Sequence, residues 1–148
     1  MIEHIRDNIL STDCRVIIHG CNAQGKMNSG VAKTIRNRFP RAYKEYISKY
    51  EESGLSPGEI ILAEEDGYLI VNAITQEFYG YDGKQYISYR ALSECLKRLA
   101  NHLPRSEYSD EPIAMPRIGC GLGGGDWTEI EPLIALYLRD FRVKVYDY

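Results

Sequence analysis

The apolar residues change period several times along the chain, and each change marks an element. Val16, Ile17 and Ile18, inside the segment 15–19, form a short β-branched run and predict a strand buried within a sheet. A polar, glycine-bearing loop follows over 20–30. Val31, Ile35 and Phe39 then recur at i, i+4 and i+8, which predicts a helix over 31–39. Pro40 restarts the chain as a second helix, since a first turn tolerates proline. The inner face of that helix is Tyr43, Tyr46, Ile47 and Tyr50, and it ends at Gly54. Segments 60–63 and 68–71 read as strands around the turn 64–67, where Asp66-Gly67 is a strong hairpin signal.

A loop rich in tyrosine and glycine occupies 77–84. Ser88 is placed to cap a helix running to Leu103, with Leu92, Leu96 and Leu99 also facing inward. Residues 113–118 predict another strand, which opens onto the glycine-rich loop 119–125. Thr128 and Glu131 have capping-box spacing for a helix carrying Ile130, Leu133, Ile134 and Tyr137. Residues 143–148 close the chain as a strand. Alternating strands and helices favour an α/β fold in three layers, α/β/α, with a sheet covered on both faces. The hairpin makes that sheet mixed but mostly parallel, and ligands of such sheets sit beyond the strands' carboxyl ends.

Composition narrows the picture. The length of 148 residues suits a single domain over 1–148, with no repeat or linker-like segment. A net charge of −3 argues against broad nucleic-acid or anionic-membrane binding. No apolar run approaches the ~18 residues of a membrane span, so no membrane partner is expected. Charges at Glu3, Arg6 and Asp7 interrupt the N-terminus, which does not read as a signal peptide. The 4 cysteines show no paired spacing, which points to reduced thiols and a cytoplasmic location. No metal site and no cofactor are expected.

Glycine placement locates the chemistry. Of 13 glycines, Gly20, Gly25 and Gly30 lie in the first loop, and Gly119, Gly121, Gly123, Gly124 and Gly125 in the second. Both loops lead from a strand's carboxyl end to a helix start. Two such loops side by side would turn backbone N–H groups and helix N-termini toward one anion, a diphosphate. Tight turns alone are the plainer explanation of the same glycines. No Gly-Lys-Ser/Thr makes either loop a Walker A motif, and the G-x-G-x-x-G letters at 119–124 lack the acidic partner of a dinucleotide fold.

The segments His19-Gly-Cys-Asn-Ala-Gln-Gly25, Met27-Asn-Ser-Gly-Val-Ala32 and Met115-Pro-Arg-Ile-Gly-Cys-Gly-Leu-Gly-Gly-Gly-Asp-Trp127 resemble the two ligand loops of macrodomains. These are ADP-ribose-binding modules, and the resemblance spans nearly the whole chain. It is nearest to the branch holding ADP-ribose 1''-phosphate phosphatases, phage macrodomain proteins and de-ADP-ribosylating hydrolases. The resemblance implies roles for individual residues. Asn8 and Ile9 would lie on the adenine side, with Asn8 reading the amino group. Asn22 would face the distal ribose. Ser29, Gly30 and Val31 match the first phosphate-side loop; Gly119, Gly121, Leu122, Gly123 and Gly124 match the loop that embraces the diphosphate. Tyr146 matches an aromatic that stacks on adenine. Structural alternatives stand beside these roles: a turn for Asn8, a loop-capping amide for Asn22 and a core filler for Tyr146.

The sequence also departs from the family. Hydrolases that remove ADP-ribose from acidic side chains or thymidine carry a lysine where this chain has Gln76. The carboxylate that some of them place in the second loop falls at Gly123, although Asp126 is nearby and Lys84 lies on the neighbouring loop. The remaining candidates for catalysis are His19, Asn22 and Asp126. His19 would be a general acid or base, or else a satisfied buried imidazole. Asp126 would orient water, or else cap the last helix. Cys21 and Cys120 read as packing rather than nucleophiles, and the segment 78–81 as an aromatic lid or a surface loop. The expected activity is hydrolysis of ADP-ribose 1''-phosphate by a monomer that binds ADP-ribose. The alternatives are a hydrolase acting on an ADP-ribosylated macromolecule, a non-catalytic reader, or a binder of another diphosphate. All require loops 20–30 and 119–125 to share one cleft.

Overall fold

A computed structural model describes residues 1–147. The sheet has six strands: β1 (Ile2–Ile5), β2 (Val16–Asn22), β3 (Ile60–Glu65), β4 (Tyr68–Gln76), β5 (Ile113–Pro116) and β6 (Val143–Tyr146). Their order across the sheet is β1-β6-β5-β2-β4-β3. Only β3 runs antiparallel to its neighbour, β4. Four helices cover the faces: α1 (Gly30–Arg38), α2 (Pro40–Ser53), α3 (Tyr89–His102) and α4 (Trp127–Tyr137). The expected mixed, mostly parallel α/β/α arrangement is therefore the observed one. None of the described helices is long and apolar enough to cross a membrane.

Strand alternation sorts the core into two halves. Val16 and Ile18 of β2 and Leu69 and Val71 of β4 pack with Leu92, Leu96 and Leu99 of α3 and Ile130 and Ile134 of α4. Ile17 and Ile70 point the other way, toward Ile35, Phe39 and Ala42, and Ile74 meets Tyr46. Each fully buried aliphatic side chain contributes about 1.5–3 kcal/mol of transfer free energy. The β3–β4 hairpin turns on Asp66 (φ 54) and Gly67 (φ 82). A two-residue turn with both central residues at positive φ matches the twist of the flanking strands, which is why Asp-Gly was legible as a hairpin.

Several boundaries differ from expectation. β2 and β4 run on to Asn22 and Gln76, beyond the apolar runs that announced them. They can do so because their buried polar residues bond one another. His19 and Asn72 are register partners. The His19 Nε2–H donates to Asn72 Oδ1 at 2.6 Å, and Asn72 Nδ2 donates to the Ala42 carbonyl at 3.0 Å, tying the sheet to α2. β5 stops at Pro116 rather than Ile118. The predicted capping box does not form. Asp126 is the N-cap of α4, with its Oδ1 accepting from the Thr128 N–H at 2.9 Å and the Thr128 hydroxyl at 2.7 Å. Glu131 instead pairs with His4 Nε2 at 2.9 Å. Residue 148, the last of the predicted closing strand, lies outside the described residues.

Burial holds the His19 imidazole neutral, lowering its pKa from 6.5 to about 4 against the opposing effect of the Asn72 bond. In the unfolded chain the ring is protonated below its ordinary pKa. The stabilisation is thus complete above pH 6.5 and is lost as pH falls toward 4, by up to about 3 kcal/mol. Urea unfolding of the wild type and of His19→Gln across this range checks the expectation: the wild type should lose stability more steeply with acid than the variant.

Candidate functional site

The carboxyl ends of β2, β4 and β5 open into one cleft of about 560 Å³, and both glycine loops line it. That volume falls in the range of small-molecule sites. The parallel pairing of β2 with both β4 and β5 delivers the strand ends to the same edge. Gly20, Thr75 and Ile118 line its inner part near the strand ends, α1 begins on one side, and the loop after β5 forms the other.

The start of α1 is free of side-chain capping. Ser29 is the N-cap but makes no cap bond; its Oγ lies 3.3 Å from the Tyr81 hydroxyl. The first backbone bond of the helix runs from the Lys33 N–H to the Ser29 carbonyl. The N–H groups of Gly30, Val31 and Ala32 therefore have no intrahelical acceptor, and all three residues line the cleft. Across from them, loop 119–125 folds back on itself. The Gly125 N–H donates to the Gly119 carbonyl at 2.7 Å and the Gly124 N–H to the Gly121 carbonyl at 3.1 Å. The Gly123 carbonyl accepts from Tyr86 and Ile87 at 2.7 and 3.0 Å. Among the described residues, the N–H groups of Gly119, Gly121, Leu122 and Gly123 donate to no protein atom, and these four residues also line the cleft. Glycine is required at 119, where φ is +80°, and at 123, where a Cβ would sit 2.7 Å from the Gly119 carbonyl oxygen.

The local electrostatics favour an anion. Lys26 and Arg117 line the cleft, and no Asp or Glu among the described residues does. Arg117 Nε is 3.5 Å from Asp147 Oδ2, an exposed pairing that screens the guanidinium only in part. Neither Lys26 nor Arg117 stands out in the sequence, because a lone cation in a loop carries no local signal.

The expected site residues divide into two groups. Asn22, Ser29, Gly30, Val31, Gly119, Gly121, Leu122 and Gly123 come together around the cleft. Asn22 also organises its own loop: Nδ2 donates to the Lys26 carbonyl at 2.9 Å, while Oδ1 accepts from the Gln24 N–H and the Tyr46 hydroxyl at 2.9 and 3.0 Å. The second Nδ2 hydrogen has no protein acceptor among the described residues. Of the aromatic segment, Tyr79 and Tyr81 line the cleft and Phe78 stands exposed.

The other group lies outside the cleft lining. His19 is fully buried on the α2 side of the sheet, so the site does not present it as an acid or base. The Asp126 carboxylate is engaged at the start of α4 by both Thr128 bonds. Gly124 is turned into loop packing against Lys84. Lys84 itself is exposed, with Nζ 3.8 Å from Asp82 Oδ2. Asn8 caps a 3-10 turn over Ile9–Ser11 by accepting from the Leu10 N–H at 2.9 Å. Ile9 and Tyr146 are buried in one cluster, and the Tyr146 hydroxyl donates to Thr12 Oγ1 at 2.7 Å. Tyr146 is the register partner of Pro116, which does line the cleft, so this group abuts the site without entering its lining.

The thiols are poor nucleophiles. Cys21 Sγ lies 3.8 Å from His19 Nε2, but burial pushes the thiol well above its ordinary pKa and the imidazole below its own. Both groups then stay neutral, the reverse of a thiolate–imidazolium pair. Desolvation raises Cys120 as well. Gln76 is placed more favourably. Its Nε2 donates to the Phe78 carbonyl at 2.7 Å, and Oε1 faces the second loop, 3.1 Å from where a Gly123 Cβ would stand.

The chain is 26% identical, over 99% of its length and 98% of the relative's, to a protein named ADP-ribose 1''-phosphate phosphatase from Candida glabrata. It is 25% identical to a protein from Thermus aquaticus named DNA ADP-ribosyl glycohydrolase, covering all of this chain and 41% of that one. The solved structure of a macrodomain protein from Streptomyces coelicolor superimposes with a TM-score of 0.82 at 25% identity, over 100% of this chain and 99% of that one. The family model described as Macro domain matches residues 18–134. With that match covering most of the chain, both glycine loops included, the protein belongs to the macrodomain family.

Proposed function

We propose that this macrodomain binds ADP-ribose by its diphosphate and hydrolyses ADP-ribose 1''-phosphate to ADP-ribose and inorganic phosphate. The observation that carries the reading is the set of backbone N–H groups at 30–32 and 119–123, gathered with Lys26 and Arg117 in a cleft free of carboxylates among the described residues. Full-length similarity to the Candida glabrata phosphatase supports the choice of substrate.

In this reading the two loops hold the diphosphate and Asn22 directs its free Nδ2 hydrogen to the distal ribose. Water attacks the terminal phosphorus, the bond from phosphorus to the C1'' oxygen breaks, a proton of the water passes to that oxygen, and ADP-ribose leaves with inorganic phosphate as the other product. Phosphoryl transfer of this kind depends on positioning and charge stabilisation more than on a strong base. The carboxamide of Gln76, anchored at Nε2, accepts from the water at Oε1 and orients it. A lysine at that position is what the resembling glycohydrolases use, and Gln76 offers no such amine. The exposed Lys84, paired with Asp82 outside the cleft lining, does not replace it.

A second reading is a reader that binds ADP-ribose without turning it over. It is favoured by the lack of any imidazole or carboxylate lining the cleft among the described residues. Incubating the purified protein with ADP-ribose 1''-phosphate separates the two. Phosphate release above a no-protein control is the expected result; calorimetric binding of ADP-ribose with no release would establish the reader instead. Gln76→Leu should lower kcat on the order of 10²-fold while ADP-ribose affinity stays within a few-fold. Equal losses in kcat and affinity would remove Gln76 from the chemistry.

A further inference from the structure

The pairing of β2 with β4 is regular from Val16 opposite Leu69 to Cys21 opposite Ile74, and then skips: Asn22 pairs with Gln76. Thr75 is the extra residue of this bulge, with no partner on β2. Bulges beside functional sites re-aim side chains. Thr75 is 1% exposed, and among the described residues its Oγ1 is the buried side-chain polar atom without a hydrogen-bond partner. A buried hydroxyl left unpaired is costly, and valine would fill the same shape without that cost.

Thr75 belongs to the cleft that both glycine loops border. Thr75, Gly20 and Ile118 all line it. Gly20 leaves room for the oxygen: a Cβ there would stand 2.9 Å from Thr75 Oγ1 and 3.3 Å from Ile118 Cγ1. Gly20 has no positive φ, so its backbone does not demand glycine. The space does. The same cleft is lined by the loop whose Gly119, Gly121 and Gly123 N–H groups have no protein acceptor among the described residues.

We propose that Thr75 is a ligand-binding residue whose hydroxyl donates a hydrogen bond to an anionic phosphate oxygen at the inner end of the cleft. The proposal rests on reading the cleft as a diphosphate receptor, and it adds a side-chain donor that sets how deeply the anion sits. A neutral donor is well suited there. It carries no charge to desolvate, and rotation about the Cβ–Oγ1 bond aims the hydroxyl hydrogen without moving the oxygen.

The test uses the whole chain and compares wild type, Thr75→Val and Thr75→Ser. Calorimetry measures binding of ADP-ribose and, separately, of inorganic pyrophosphate; thermal unfolding without ligand monitors the fold. Thr75→Val should bind the anion roughly 10- to 100-fold more weakly, the scale of a hydrogen bond to a charged group, with an unfolding midpoint no lower than wild type. Thr75→Ser should stay within about threefold of wild-type affinity. Wild-type affinity in Thr75→Val, or an equal loss in both variants, overturns the assignment. Binding of pyrophosphate but not ADP-ribose by the wild type would defeat the ADP-ribose reading, and the Thr75 comparison would then be decided on pyrophosphate. A wild type that binds neither defeats both.

Discussion

Everything at the site follows from β2 lying in parallel between β4 and β5. A parallel neighbour on each side fixes where three strand ends emerge, so the loops that leave β2 and β5 have to meet although about a hundred residues separate them in the chain. The strands are held in that order by interleaved aliphatic side chains on both faces and by one buried polar link, His19 to Asn72 to the Ala42 carbonyl. A buried link of this kind is costly to break, because either partner left alone keeps its desolvation cost. The alignment of the two loops thus depends on chemistry that sits beneath the cleft and never reaches it.

The cleft is also equipped with donors for an anion although the chain as a whole is acidic. The net charge of −3 is spread over a surface screened by salt within about 10 Å. Backbone dipoles at the start of α1 and in the loop after β5 act at contact distance, and α1 keeps them available because Ser29 turns its hydroxyl to Tyr81 instead of capping the helix. Overall charge says little about ligand sign in such a protein; the local placement of N–H groups says much more.

The layered fold, the hairpin and the convergence of loops 20–30 and 119–125 were readable from the chain because each has a local signature: periodicity, Asp-Gly, and clustered glycine after a strand. What the sequence leaves open is decided by contacts made across the fold. His19 ends an apolar run and is adjacent to the first loop, but alternation turns it toward α2, opposite to Gly20. Asp126 competes with Thr128 for the cap, and only geometry decides between two good capping residues. Tyr146 reads equally as a stacking surface or a core filler, and its hydroxyl finds Thr12 in the interior. Thr75 carried no signal at all, since a bulge is a property of two strands and not of one.

One hydrogen-bonding detail has a wider consequence. The Gly123 carbonyl accepts two N–H groups at once, from Tyr86 and Ile87, so the loop after β5 is fastened to the segment that leads into α3. Ser88, which caps α3, follows directly and ties its own N–H to the Thr75 carbonyl on β4. The anion cradle is therefore not a free-standing flap but one leg of a rigid frame whose other legs are a strand end and a helix start. Any mutation that shifts residues 86–88 should retune the spacing of the loop after β5 from a distance while leaving every residue that lines the cleft unchanged.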